Sequence, residues 1–154
     1  MNQGKSNILY IDDEAHNLNS FRAAFRRDYE IFTAISASEG LKVLQDNEIH
    51  VIVTDQRMPE MTGIEFLESV IHHYPDIPRI LLTGYADIDS VIDAINKGNV
   101  YKYVQKPWDE KELRITINSA LEIFLLQKQK EKLTEQLLET NEQLEFLLRQ
   151  NLLS

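Results

Sequence analysis

Five short apolar runs alternate with five longer stretches of helical periodicity, and this alternation constrains the fold more than any other feature of the chain. The runs are Asn7 to Ile11 (NILYI), Glu30 to Ala34 (EIFTA), Val51 to Thr54 with Asp55 behind it, Arg79 to Thr83 (RILLT) and Val100 to Gln105. The third, Val-Ile-Val-Thr, lacks polar alternation and reads as a strand buried on both faces. Between the runs, Leu18, Phe21, Ala24 and Phe25 fall at helical spacing, as do Phe66, Leu67, Val70 and Ile71. Ser36-x-x-Glu39 and Thr62-x-x-Glu65 resemble capping boxes that open helices. Asp87 to Lys97 is a helix stopped by Gly98-Asn99, and Asp109-x-x-Glu112 starts the last helix.

Strands and helices in strict alternation predict an α/β fold with a parallel sheet covered on both faces. Right-handed crossovers leave few topologies. The flavodoxin-like order 2-1-3-4-5, a doubly wound (βα)5 sheet, places strands one and three side by side. Asp12, Asp13 and Asp55 then share the carboxyl edge of the sheet, where open α/β sheets place their chemistry, and Thr83 and Lys106 end the next two strands on that edge. Asp55 alone would begin a turn, and an acidic pair after a strand would cap a helix. Five groups at five consistent places point to a site.

Three carboxylates with no basic neighbour in sequence repel one another, and a hard divalent cation resolves this. Mg²⁺ takes carboxylate oxygens, keeps several waters and leaves room for phosphate. The hydroxyl of Thr83 and the compact ammonium of Lys106 suit the remaining oxygens of a phosphoryl group, and a carboxylate as nucleophile gives an aspartyl phosphate.

Bulk properties agree. The chain has 154 residues and a net charge of -9, which argues against nucleic acid or anionic lipid as the main partner. It has no cysteine, so neither a disulfide framework nor a thiolate metal site is available. The N-terminus MNQGKSN lacks an apolar signal region and no run reaches transmembrane length, so a cytoplasmic protein is expected. Gly4-Lys5-Ser6 imitates the end of a phosphate-binding loop but precedes a strand instead of linking one to a helix. His72 and His73, adjacent on a helix, face different directions and make no metal pair. The D-x-D pattern of haloacid-dehalogenase phosphatases is broken by Arg57.

ILYIDDE, VTDQRMPEMTG, ILLTGYAD and YKYVQKPWD together resemble the signature regions of the receiver domain of bacterial two-component response regulators, over about residues 7–124. The resemblance implies that Asp55 is the phospho-acceptor. It implies that Asp13 and Asp55 ligate Mg²⁺ directly, Asp12 through water, and that the Arg57 main-chain carbonyl completes the site. Thr83 and Lys106 would bind phosphoryl oxygens, Thr83 and Tyr103 would form the switch, and Lys106-Pro107 would be cis. A histidine kinase or phosphotransfer protein is the implied donor. The module would be no enzyme beyond its own phosphoryl transfer and dephosphorylation.

From Leu113 to Leu153 there is neither Pro nor Gly. With Leu137 at position a, Ile123, Leu126, Leu133, Leu144 and Leu147 occupy further a and d positions, while Lys130, Thr140 and Asn151 interrupt the seam. A coiled coil forming a parallel homodimer is expected, against the alternative of a solvated tether. The expected domains are a receiver, 1–124, and a helical extension, 125–154, that serves a possible downstream output domain. A receiver-like scaffold that works without phosphorylation is the alternative function.

Overall fold

The computed structural model describes residues 4–153. Its strands β1 (Asn7–Ile11), β2 (Glu30–Ala34), β3 (Val51–Asp55), β4 (Arg79–Thr83) and β5 (Lys102–Gln105) form one sheet in the order β2-β1-β3-β4-β5. Every neighbouring pair is parallel. The intervening helices are α1 (Ala15–Phe25), α2 (Ala37–Asp46), α3 (Gly63–Ile71), α4 (Ile88–Asn96) and α5 (Glu110–Leu153). This is the flavodoxin-like doubly wound arrangement with a long last helix.

Side chains two residues apart on a strand share a face, and the core divides accordingly. Ile8 and Tyr10 look toward Phe21, Phe25, Leu113 and Ile117 of α1 and α5. Leu9 and Ile11 look toward Leu44, Phe66, Leu67 and Val91 of α2, α3 and α4. Each such side chain, fully buried, contributes about 1.5–3 kcal/mol. Strands β3 and β4 are buried at every position because both of their faces are covered.

The capping signals act at the helix starts. Thr62 and Glu65 form a reciprocal box: the Glu65 N–H donates to Thr62 Oγ1 at 3.2 Å, and the Thr62 N–H donates to Glu65 Oε1 at 3.1 Å. Ser36 accepts from the Glu39 N–H, but Glu39 reaches back to the N–H of Ile35, one residue before the cap. Two boundaries differ from the sequence reading. Strand β5 begins at Lys102 rather than Val100, because Val100 is drawn into the core beyond a turn at Gly98 (φ 77°) and not into the ladder. Helix α4 begins at Ile88, behind a short 3-10 turn, Tyr85–Asp87, and Lys97 caps its end.

The chain falls into two compact units, Met1–Phe124 and Leu125–Ser154. Residues 1–3 and 154, the outer ends of the two expected domains, lie outside the described residues. In the second unit Leu126, Leu133, Leu137, Leu144 and Leu147 are all more than half exposed. No helix among the described residues is long and apolar enough to cross a membrane.

Candidate functional site

The ladder register assembles the site. Ile11 pairs with Thr54, so the residues that follow each of them, Asp12 and Asp55, emerge side by side at the carboxyl edge. Thr83 pairs with Gln105, which sets Lys106 beside Thr83, and the Lys106 N–H donates to the Thr83 carbonyl at 2.9 Å. Oxygens of Asp12, Asp13 and Asp55 all lie within 4.8 Å of one another. Lys106 Nζ forms an ion pair with Asp55 Oδ1. Thr83 is buried, and its hydroxyl donates to the Gly84 carbonyl at 3.3 Å. Asp55, Thr83, Lys106, Gln56, Arg57 and Asp87 are among the residues lining a cavity of about 300 Å³. The Lys106-Pro107 peptide is cis.

Asp55 is nearly inaccessible, 5% exposed. Burial raises its pKa above the ordinary carboxylate value, although Lys106, by hydrogen bond and charge, pulls the other way. The charged form is therefore costly in this position, and a cation would offset that cost. The donor set fits a hard divalent ion: oxygen ligands only, two buried carboxylates and one exposed one. Asp12 is held by three donors. Tyr10 Oη–H reaches its Oδ2 at 2.6 Å, Asn17 Nδ2 reaches the same oxygen at 3.1 Å, and the Glu14 N–H reaches Oδ1 at 3.0 Å. Burial first, and then the hydrogen bond to Asp12, push the Tyr10 phenol far above its usual pKa, so it remains a donor.

The fold brings Asp12, Asp13 and Asp55 together, and Arg57, Thr83 and Lys106 line one cavity with Asp55. Tyr103 lies on the neighbouring strand, half-buried against the core on the α4 side. His72 and His73 are exposed. The sequence reading missed Tyr10, Asn17, Gln56 and the Arg57–Asp87 ion pair, whose Nε···Oδ2 distance is 3.1 Å. Gln56 is buried, and its Oε1 accepts the Ile64 N–H at 2.9 Å, tying the start of α3 to the end of β3.

A family model, the response regulator receiver domain, matches residues 8–118. The chain belongs to this family. Receiver domains are signalling modules of two-component systems. This receiver is 34% identical over 124 residues to the hydrogenase transcriptional regulatory protein HoxA of Bradyrhizobium diazoefficiens, a match spanning 80% of this chain and 26% of the relative. The chain thus spans about a quarter of the length of that curated relative. Among solved structures, a response regulator receiver domain protein from Clostridium thermocellum superposes with a TM-score of 0.75 at 35% identity, covering 79% of this chain and 98% of that one. A structure described as adenylate cyclase from Rhodopirellula baltica superposes with a TM-score of 0.82 at 29% identity, covering 85% and 98%.

Proposed function

We propose that this receiver accepts a phosphoryl group on Asp55 from a partner histidine kinase or phosphotransfer protein. The observation that carries the reading is the buried Asp55 carboxylate, paired with Lys106 and set within reach of Asp12 and Asp13. An Asp55 oxygen attacks phosphorus in line, the new P–O bond forms as the bond to the donor nitrogen breaks, and the departing imidazole takes a proton from solvent. Lys106 releases its ion pair to hold an oxygen of the transferred group, and the Thr83 hydroxyl turns from the Gly84 carbonyl to another. Asp13 and Asp55 would hold Mg²⁺ directly, with Asp12 through water and the Arg57 main-chain carbonyl beside them. When bound, Mg²⁺ supplies positive charge against the developing phosphoryl oxygens. Asp55→Asn keeps the shape and removes the nucleophile, so it should gain no phosphate from a small acyl phosphate donor with Mg²⁺. An equal yield from that variant, by intact mass, reassigns the nucleophile. A parent chain that gains none under any condition acts as a scaffold instead.

The switch reading follows from the same edge. Movement of Thr83 toward the phosphoryl group vacates space that Tyr103, two positions down the adjacent strand, can enter. Thr83→Ala should leave phosphorylation largely intact and uncouple it from chemical-shift changes on α4, β5 and the Glu110–Phe124 part of α5. Shift changes of equal size in both proteins would count against this.

The Leu125–Ser154 unit is proposed to pair with a second copy as a parallel coiled coil. A lone helix in water does not hold five leucines exposed along one seam without a partner. Thr140, at a core position, satisfies its hydroxyl on the Gln136 carbonyl at 2.9 Å and can present its methyl to the seam. The polar interruptions imply modest affinity. Leu137→Asp with Leu144→Asp buries charge in the seam and should convert the dimer to monomer in sedimentation. Parent and variant running alike would make the helix a tether. The relative's printed name describes a transcriptional regulator, so an output module beyond this receiver is part of the proposal; the acidic receiver itself is not expected to bind nucleic acid directly. The chain is proposed to act in the cytoplasm and to catalyse nothing beyond its own phosphoryl transfer and dephosphorylation.

A further inference from the structure

We infer that Tyr10 and Asn17 fix how many oxygens Asp12 can offer, and so set the preference of the acidic site for a small octahedral cation over a larger one. This rests on the reading of Asp12, Asp13 and Asp55 as a cation site. A carboxylate has about four lone-pair positions. On Asp12, Tyr10 and Asn17 fill both on Oδ2, and the Glu14 N–H fills one on Oδ1. One position on Oδ1 remains, enough for a bound water or a single bond and too few for two-oxygen chelation. Mg²⁺ is satisfied by that arrangement, because it keeps its waters and needs few carboxylate oxygens. Ca²⁺ takes six to eight oxygens and gains much from a carboxylate that chelates with both.

The lock is rigid. Asp12 is fully buried and Tyr10 is 1% exposed. The Tyr10 ring stacks on Phe21 with centroids 4.2 Å apart and planes at 21°. Tyr10 and Asp12, two residues apart, leave the strand on one face, and Asn17 stands in the first turns of α1 above them. Tyr10 is thus a positioning residue, acting on the cation only through Asp12. Were its phenol merely a partner for a buried carboxylate, its loss would weaken the site toward all cations alike.

Tyr10→Phe keeps the stacked ring and removes the one donor. The full chain is titrated with Mg²⁺ alone and with Ca²⁺ alone by calorimetry. Emission from Trp108, which lines a cavity with Tyr10, Asn17 and Lys106, serves as a second readout. The parent should prefer Mg²⁺. In Tyr10→Phe the ratio of Mg²⁺ to Ca²⁺ affinity should fall by about tenfold, the scale on which outer partners of metal ligands act, with Ca²⁺ binding strengthened. Asn17→Ala should move the ratio in the same direction and decides the matter should Tyr10→Phe not fold. An unchanged ratio, or parallel loss of both cations, overturns the inference while leaving the cation site standing. A parent that binds neither cation overturns the site and the inference together.

Discussion

Gly63→Ala should lower the melting temperature of the receiver by about 10 °C and slow its phosphorylation with it. Gly63 opens α3, and its N–H donates to the Gln56 carbonyl at 2.9 Å. A β-carbon built there would stand 2.3 Å from the Asp55 carbonyl oxygen and 2.8 Å from a Leu81 methyl. The leucine can turn aside; the backbone of Asp55 cannot. Either α3 backs away from β3 or the end of β3 bends, and overpacking of this kind costs about 3 kcal/mol. For a domain of this size that corresponds to the stated drop. The displaced group is the backbone of the proposed nucleophile, so phosphoryl uptake should fall even at temperatures where the variant is folded. A thermal melt within about 2 °C of the parent would show that α3 has slack the geometry does not reveal. The glycine of the D-x-x-M-P-x-M-x-G motif is thus explained by close approach rather than by a special backbone angle.

Asp13→Asn should weaken Mg²⁺ binding by at least about tenfold, no less than the loss of an outer partner costs, and slow phosphoryl uptake in step. Asp13 is the exposed member of the carboxylate group, so its replacement leaves the core intact. Three donors leave Asp12 a single free position on Oδ1, so it cannot hold its bound water and also supply the bond that Asp13 loses. The two losses should be linked: raising Mg²⁺ should restore much of the rate. Mg²⁺ affinity equal to that of the parent would remove Asp13 from the site.

Much of this was legible because the signals are local. Four of the five strands are built around short apolar runs, and their ends coincide with the residues read from the sequence once Asp55 is taken as the last residue of β3. The fifth was read two residues long because Val100 is apolar for packing, and periodicity does not separate a core residue in a turn from one in a ladder. Asp12, Asp13, Asp55, Thr83 and Lys106 could be placed on one edge because strand order alone decides which strand ends meet. The partners of those residues were harder. Arg57 and Asp87 stand 30 positions apart in sequence, and nothing in either loop announces the other. Tyr10 was within reach: it sits two residues before Asp12 on a strand, hence on the same face, but inside NILYI it passed for one more apolar residue. Its hydroxyl shows its meaning only when Asp12 is known to be buried.

Phosphorylation is expected at Asp55 and at no other residue. The most direct measurement treats the full chain with an acyl phosphate and Mg²⁺, reduces the product with borohydride, and maps the reduced residue by peptide mass. A mixed anhydride at Asp55 is converted to homoserine at that position, and omission of Mg²⁺ should abolish the signal. Reduction at Asp55 alone, and only with Mg²⁺, is the predicted result. A modification at any other residue, or one at Asp55 that forms equally well in the presence of a chelator, contradicts it.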